Sequence, residues 1–477
     1  DGRRFDYQYD ANGNVSDITT DYQGSVQPVL SNIQYQPFGP VKGMTYGNGL
    51  TLEQIYDLDT RLTQSSTPLT LERGYGFDDA SNITSITNDL DPSATEGFDY
   101  DNLNRLDTAS GSYGSLGYSY DPTHNRTQKT DSIQGDTYYD YDLNNNHLTT
   151  VTAGDIKNYQ YDAVGNIVDN NSYRFDYADN NRLAAVKVGN KKIATYKYNG
   201  QGQRTEKIIG KTTTHYLYGL QGELLTEIET TRRSQGVLRS YLYLNGRPIA
   251  ITEANSLYYI HSGHLGTPQV ITDQNQAIVW QASYSPFGQA LITTEVIVNN
   301  LRFPGQYYDQ ESNLHYNYFR YYDPSIGRYI TSDPIGLGGG INTYGYAGGS
   351  PIVFSDFYGL KSSIGIGGQI GSTTLGVSGG YGWYSGAQWG QTTQLGAGFG
   401  VEVCFNLPDD NEEPSTGNAS DCDQEQDGKE KDGIDPMPDN ISAGVGRHLG
   451  IKVGRDGSFC ISAGPSAGLP GGAGWDF

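Results

Sequence analysis

Tyr159-Gln160-Tyr161-Asp162-Ala163-Val164-Gly165-Asn166 is the clearest copy of a phrase that returns along a chain of 477 residues. Alternating Tyr-x-Tyr places both rings on one face of an extended strand, because successive side chains point to opposite faces. The letters that follow are turn chemistry. Asp162 is able to accept a backbone hydrogen bond from two residues on, Gly165 takes positive φ without a Cβ clash, and Asn166 tolerates the left-handed region. A tight β-hairpin is the expected product.

Counted on its second tyrosine, the phrase falls at Tyr100, Tyr120, Tyr141, Tyr161, Tyr177, Tyr198 and Tyr218, in steps of 20, 21, 20, 16, 21 and 20 residues. Variants run from Tyr7 to Asn14, Phe98 to Leu106, Tyr118 to Arg126, Phe175 to Leu183 and Tyr196 to Arg204, and the arginine or leucine after each turn starts the return strand. A unit this small cannot bury a face alone. Stacked neighbours must do so, which spreads stability over many hairpins.

The phrase resembles the tyrosine-aspartate (YD) repeats of the rearrangement hotspot (RHS) family, which includes the C components of insecticidal toxin complexes and the YD shells of teneurins. The resemblance covers residues 1–360. Two further passages carry it. The first runs from Tyr258-Tyr259-Ile260-His261 through His264-Leu265-Gly266-Thr267-Pro268 to Trp280, Tyr284 and Pro286-Phe287-Gly288. The second joins Phe319-Arg320-Tyr321-Tyr322-Asp323-Pro324, Gly327-Arg328-Tyr329, Asp333-Pro334-Ile335-Gly336-Leu337 and Asp356-Phe357-Tyr358-Gly359-Leu360.

The resemblance implies an all-β fold in which YD hairpins spiral into a hollow shell over residues 1–300. A closing plug over residues 301–360 and a small Gly-rich β tail over residues 361–477 complete the expected organisation. Composition agrees with a hollow or extended structure: 35% hydrophobic residues, 63 glycines and 39 tyrosines are too poor in aliphatics for one compact domain of this length. Tyrosine covers area and keeps a hydroxyl for a partner.

The formal charge of −23 argues against nucleic acid as a partner of the repeats, since phosphate binding needs clustered Lys and Arg. No apolar run of bilayer length and no leader are read in the sequence, so neither a transmembrane span nor a signal peptide is expected. The chain opens in mid-repeat, and a docking or delivery module upstream is expected to be missing. Cys404, Cys422 and Cys460 all follow residue 360. Cys404 with Cys460 is the disulfide candidate, each ending a strand-like run, against free thiols as the alternative.

Residues 301–360 gather Asp309, Asp323, Asp333 and Asp356 with Arg320 and Arg328. Turns and salt bridges account for them in the bland reading. The sharp reading is peptide hydrolysis, in which one ionised carboxylate takes a proton from water and one protonated carboxyl polarises the carbonyl. The resemblance implies that such chains cut themselves after the terminal leucine. Here that maps the cut to Leu360-Lys361 and the catalytic pair to Asp333 and Asp356, with Asp323 as a third acid and Arg320 or Arg328 holding a carboxylate ionised. The signature departs from the family at Phe357, where proline is typical, and at Gly348-Gly349-Ser350-Pro351.

His261 and His264, spaced as a metal pair, have no third ligand and are read as structural. No cofactor is expected. Within the tail, an acidic stretch over residues 409–440 reads as a solvated loop; its Asp421, Asp423, Glu425 and Asp427 fail as a calcium loop because Gln426 stands where glycine is needed. His448 stands alone. The resemblance makes residues 361–477 a variable cargo held inside the shell, with an immunity protein as a further partner and secretion or delivery by a bacterial secretion system as the route. Two accounts compete: a teneurin-like extracellular adhesive shell with an uncut tail, and a tail that is a self-sufficient enzyme or a β-barrel, structural or acting on a membrane.

Overall fold

The computed structural model describes residues 4–22, 24–37, 39–231 and 235–361, and beyond them the short strands 363–364, 387–390, 401–405, 440–442, 448–453 and 459–464. The acidic stretch of residues 409–440, apart from Asn440, lies outside the described residues, as do Cys422 and residues 465–477. The chain divides into two compact units, Asp1–Gly376 and Val377–Phe477.

Several hairpins are built as Asp162 builds its own. The carboxylate Oδ1 accepts the amides of Val164 (3.1 Å) and Asn166 (2.8 Å), and the Asp162 N–H donates to the Asn166 carbonyl. Gly165 sits at φ +89°. Asn166 does not share the left-handed region; its amide Nδ2 reaches back to Asp162 Oδ2 at 2.8 Å, so the asparagine locks the loop through its side chain. The same carboxylate-to-amide pattern recurs at Asp10, Asp57, Asp101, Asp121 and Asp273. Thr60, Asn104, His124 and Gln276 there hold the positive φ that glycine holds in other copies, at a cost of roughly 1 kcal/mol or more each.

The residue after each turn faces inward. Leu106, Arg126, Leu148, Ile167, Leu183, Arg204 and Leu224 each open a strand, and all are buried. The second tyrosine then fastens one hairpin to the one before it. Tyr100 donates to Ile83 O, Tyr120 to Leu106 O, Tyr141 to Arg126 O, Tyr177 to Ile167 O and Tyr198 to Leu183 O, all within 2.7–2.9 Å. Asparagines add a second stitch between neighbouring turns, Asn82 to Asn104 and Asn125 to Asn146.

Consecutive antiparallel pairing gives one sheet of 15 strands from Arg4–Tyr9 to Asp155–Asn158 and one of 14 strands from Gln160–Tyr161 to Ala290–Glu295. The early strands meet the late ones. Ile18, Leu30, Met44 and Tyr46 share a core with Leu242, Ile249, Leu257 and Tyr259, and Tyr46 donates to Ile260 O across 214 positions. The ribbon therefore curls back on itself, as expected of a shell wall.

The segment that follows lines this wall. Leu301, Tyr307, Leu314, Tyr316, Tyr321 and Ile330 pack on the second sheet's core, and Ile326 and Ile352 join clusters of the first. It also touches the hairpin turns one after another: Gly349 lies on Arg105, Asn342 bonds Asn125, Arg328 bonds Asn146 O, Tyr344 bonds Gly165 O and Tyr358 bonds Gln221 O. One segment thus laces many repeats together.

In the second unit, five short strands pair in the order 387–390, 401–405, 459–464, 448–453, 440–442, which places Cys404 opposite Cys460. Directly opposed residues of an antiparallel pair have Cα atoms about 4.5–5.5 Å apart, within the span a disulfide bridges.

Candidate active site

Arg320 is set by a tight turn, Asn317 pairing with Arg320 across Tyr318 and Phe319. Its strand pairs in turn with Arg328–Tyr329, which brings Tyr329 beneath the guanidinium at 3.6 Å from the ring centroid. Burying an arginine demands partners for its donors. Nη2 lies 2.9 Å from Asp333 Oδ2 and 3.3 Å from Asp356 Oδ2, Nη1 donates to Thr343 O at 2.9 Å, and Nε donates to Gly359 O.

The two aspartates reach this cation from loops that the sequence dictates. Asp333 opens the Asp-Pro-Ile-Gly turn, its Oδ1 accepting Ile335 N at 2.9 Å and its carbonyl accepting Gly336 N. Asp356 closes the loop at the other end, its Oδ1 accepting the N–H of Leu360 at 2.9 Å. Tyr329 OH donates to Asp356 Oδ2 at 2.8 Å, and Asn317 Nδ2 donates to both Tyr329 OH and Asp356 O.

Both carboxylates flank Leu360. A Cβ added at Gly339 would lie 2.2 Å from Asp333 Oδ2 and 2.6 Å from Leu360 O, so only a glycine hydrogen fits beside the two oxygens, which are near neighbours. Gly359 also needs to be glycine, since a Cβ there would meet Asn317 O at 2.5 Å. Burial pushes the Asp333 carboxyl up to about 6, against the opposing pull of Arg320. Asp333 thus holds its proton at a pH where an ordinary carboxylic acid has lost it.

Of the residues singled out by sequence, Arg320, Asp333, Asp356 and Leu360 are brought together. Asp323 and Arg328 are not. Asp323 accepts from Ser325 N and Ser325 Oγ in its own turn, and Arg328 donates to Asn146 O with its guanidinium over Tyr141 and Tyr344. Tyr329, Asn317, Thr343 and Gly339 had no assigned role in the sequence; Tyr329 stood inside a quoted motif, whereas only tertiary structure carries the other three to the site. Phe357, in the place of proline, packs edge-on against Tyr358.

The two histidines serve separate contacts. His261 bonds Thr272 Oγ1 and lies against Tyr46, and His264 Nε2 bonds Ile352 O. Burial pushes their imidazoles down to about 3 and about 4, so both are neutral. Among the described residues no group of three or more His, Cys, Asp and Glu is placed to hold a metal ion, and no helix is long and apolar enough to cross a membrane.

Comparison with known proteins gives a match of residues 51–337 to the family model described as Teneurin YD-shell. The chain is 26% identical over 322 residues to double-stranded DNA deaminase toxin A of Burkholderia cenocepacia, covering 52% of this chain and 22% of that protein. It is 28% identical over 370 residues to probable deoxyribonuclease RhsA of Dickeya dadantii, covering 70% of this chain and 25% of that one. The chain thus spans about a quarter or less of the length of these relatives. The crystal structure of TcdB2-TccC3-Cdc42 superposes with a TM-score of 0.67 at 20% identity, over 75% of this chain and 20% of that one.

Proposed function

Because the chain belongs to the teneurin YD-shell family, we propose that its hairpin wall encloses residues 361–477 as cargo and that residues 301–360 sever that cargo between Leu360 and Lys361. The observation that carries this reading is the convergence of Arg320, Asp333 and Asp356 on Leu360, with one carboxylate on its amide and the other beside its carbonyl.

The chemistry follows from the asymmetry of the pair. Asp333, still protonated, donates to the Leu360 carbonyl oxygen; Asp356, ionised beside Arg320, takes a proton from water, whose oxygen bonds to the carbonyl carbon. Collapse of the tetrahedral carbon breaks the C–N bond, and the proton held by Asp356 passes to the nitrogen of Lys361 while Asp333 recovers its own. Water is consumed, and a carboxyl at Leu360 and an amine at Lys361 are formed.

The two relatives are named as toxins or nucleases acting on DNA, and on that basis the cargo is a toxin delivered outside the producing cell, with an immunity protein as a further partner. Denaturing mass spectrometry of the parent chain and of Asp333→Asn tests the cut. Two fragments from the parent and one intact chain from the variant are expected. A parent chain that folds and stays whole overturns the reading and favours an adhesive shell instead.

A further inference from the structure

We propose that Tyr329, aimed by Asn317, is a positioning residue that gives the two aspartates different roles by committing its hydroxyl proton to Asp356. The inference rests on the self-cleavage reading above and goes beyond it to a residue that acts through Asp356.

The direction of the tyrosine proton is fixed by its neighbours. Asp356 O is a carbonyl and only accepts, so the Asn317 atom 2.8 Å from it must be the amide nitrogen. That same nitrogen lies 2.7 Å from Tyr329 OH, which therefore accepts there and must send its own hydrogen elsewhere. Asp356 Oδ2 stands 2.8 Å away to receive it. Tyr329 and Asn317 are both fully buried, and burial holds the phenol well above its ordinary range, so the hydroxyl remains a donor throughout the working pH range.

Asp333 has no such donor among its described contacts. Its oxygens meet Arg320 and the Ile335 amide, whereas Asp356 meets Arg320, the Leu360 amide and the phenol. The charged and titratable groups facing Asp356 are Arg320, Asp333, Tyr329 and, around the Tyr329 ring, Tyr322 and Tyr346. Tyr329 is thus the neutral donor that distinguishes one carboxyl from the other. Its ring also supports the Arg320 guanidinium from below, a duty that phenylalanine performs equally well.

The test uses the full chain captured uncut in urea and diluted into buffers from pH 3 to 8, with intact mass followed over time. The parent is expected to give a rate profile that falls away on both sides of an optimum, its alkaline limb set by Asp333 near 6. Tyr329→Phe is expected to move the acid limb upward by about one pH unit and to slow the best rate roughly tenfold, leaving the alkaline limb in place. Asn317→Ser, which leaves the phenol unaimed, is expected to shift the same limb in the same direction. It decides the matter on the same criterion if Tyr329→Phe fails to reach a protease-resistant fold. Limbs that superpose on the parent's, at an unchanged or a uniformly lowered rate, overturn the proposal. Asp333→Asn separates the two failures: a variant that still cuts sinks the carboxylate-pair reading itself, whereas an uncut one beside an unshifted Tyr329→Phe profile sinks only the role of Tyr329.

Discussion

At Arg204 a guanidinium without exposed surface is ringed by Tyr196, Tyr216, Tyr307, Tyr316 and Tyr321 and paired with Asp309, which also accepts from Lys207 at 3.0 Å. This joins the wall to the closing segment through charges taken out of water. A buried pair of this kind is poor as a source of net stability but costly to break, because the survivor has no water to turn to. Asp309→Ala is therefore expected to lose about 3–5 kcal/mol in urea unfolding, and adding Arg204→Met to recover part of it. Asp333 gives the residue scale its pH dependence. Its carboxyl is pushed up to about 6, so the protonated form that the proposed cleavage requires dominates below that value and falls away above it. Cutting should run about a hundredfold slower at pH 8 than at pH 5, as read by the appearance of fragment mass.

At the scale of the hairpin, Gly165 meets two demands at once. Its φ of +89° excludes most side chains, and a Cβ would lie 2.6 Å from Tyr344 OH, which donates to the Gly165 carbonyl. Gly165→Ala should destabilise the first unit by more than the roughly 1 kcal/mol that the backbone conformation alone costs. Tyr100→Phe, which removes only the hydroxyl fastened to Ile83 O, should cost about 1 kcal/mol, and denaturant midpoints would order the two. The repeat was legible because period-two aromatics and Asp-x-x-Gly loops act locally: the strand, the turn and the buried residue after it follow from neighbours in sequence. Asn166 was misjudged for a related reason, since composition shows a tolerance for the left-handed region but not that the side chain is used to clamp Asp162. The resemblance named Asp333 and Asp356 together, and the structure sets both on one guanidinium. Which arginine meets them could not be read, because strand register alone aims Arg320 at the aspartates and Arg328 at Asn146.

At the scale of the whole molecule, the sequence period specifies a ribbon but not its curvature. Closure shows only in contacts such as Tyr46 with Ile260 and Asn48 with Asp273, more than 200 positions apart. Those contacts, with the closing segment laced across the turns, tie early repeats to late ones. The second unit offers its own check: Cys404 and Cys460 stand opposite one another, and peptide mapping without reductant should recover them joined. Whether the shell cuts its own chain yet keeps what it has cut can be read from native mass spectrometry of the purified protein. A single particle of full mass that separates on denaturation into one polypeptide ending at Leu360 and another beginning at Lys361 is the predicted result. A particle that yields one unbroken polypeptide, or a shell found without its tail as soon as the bond is cut, would contradict it.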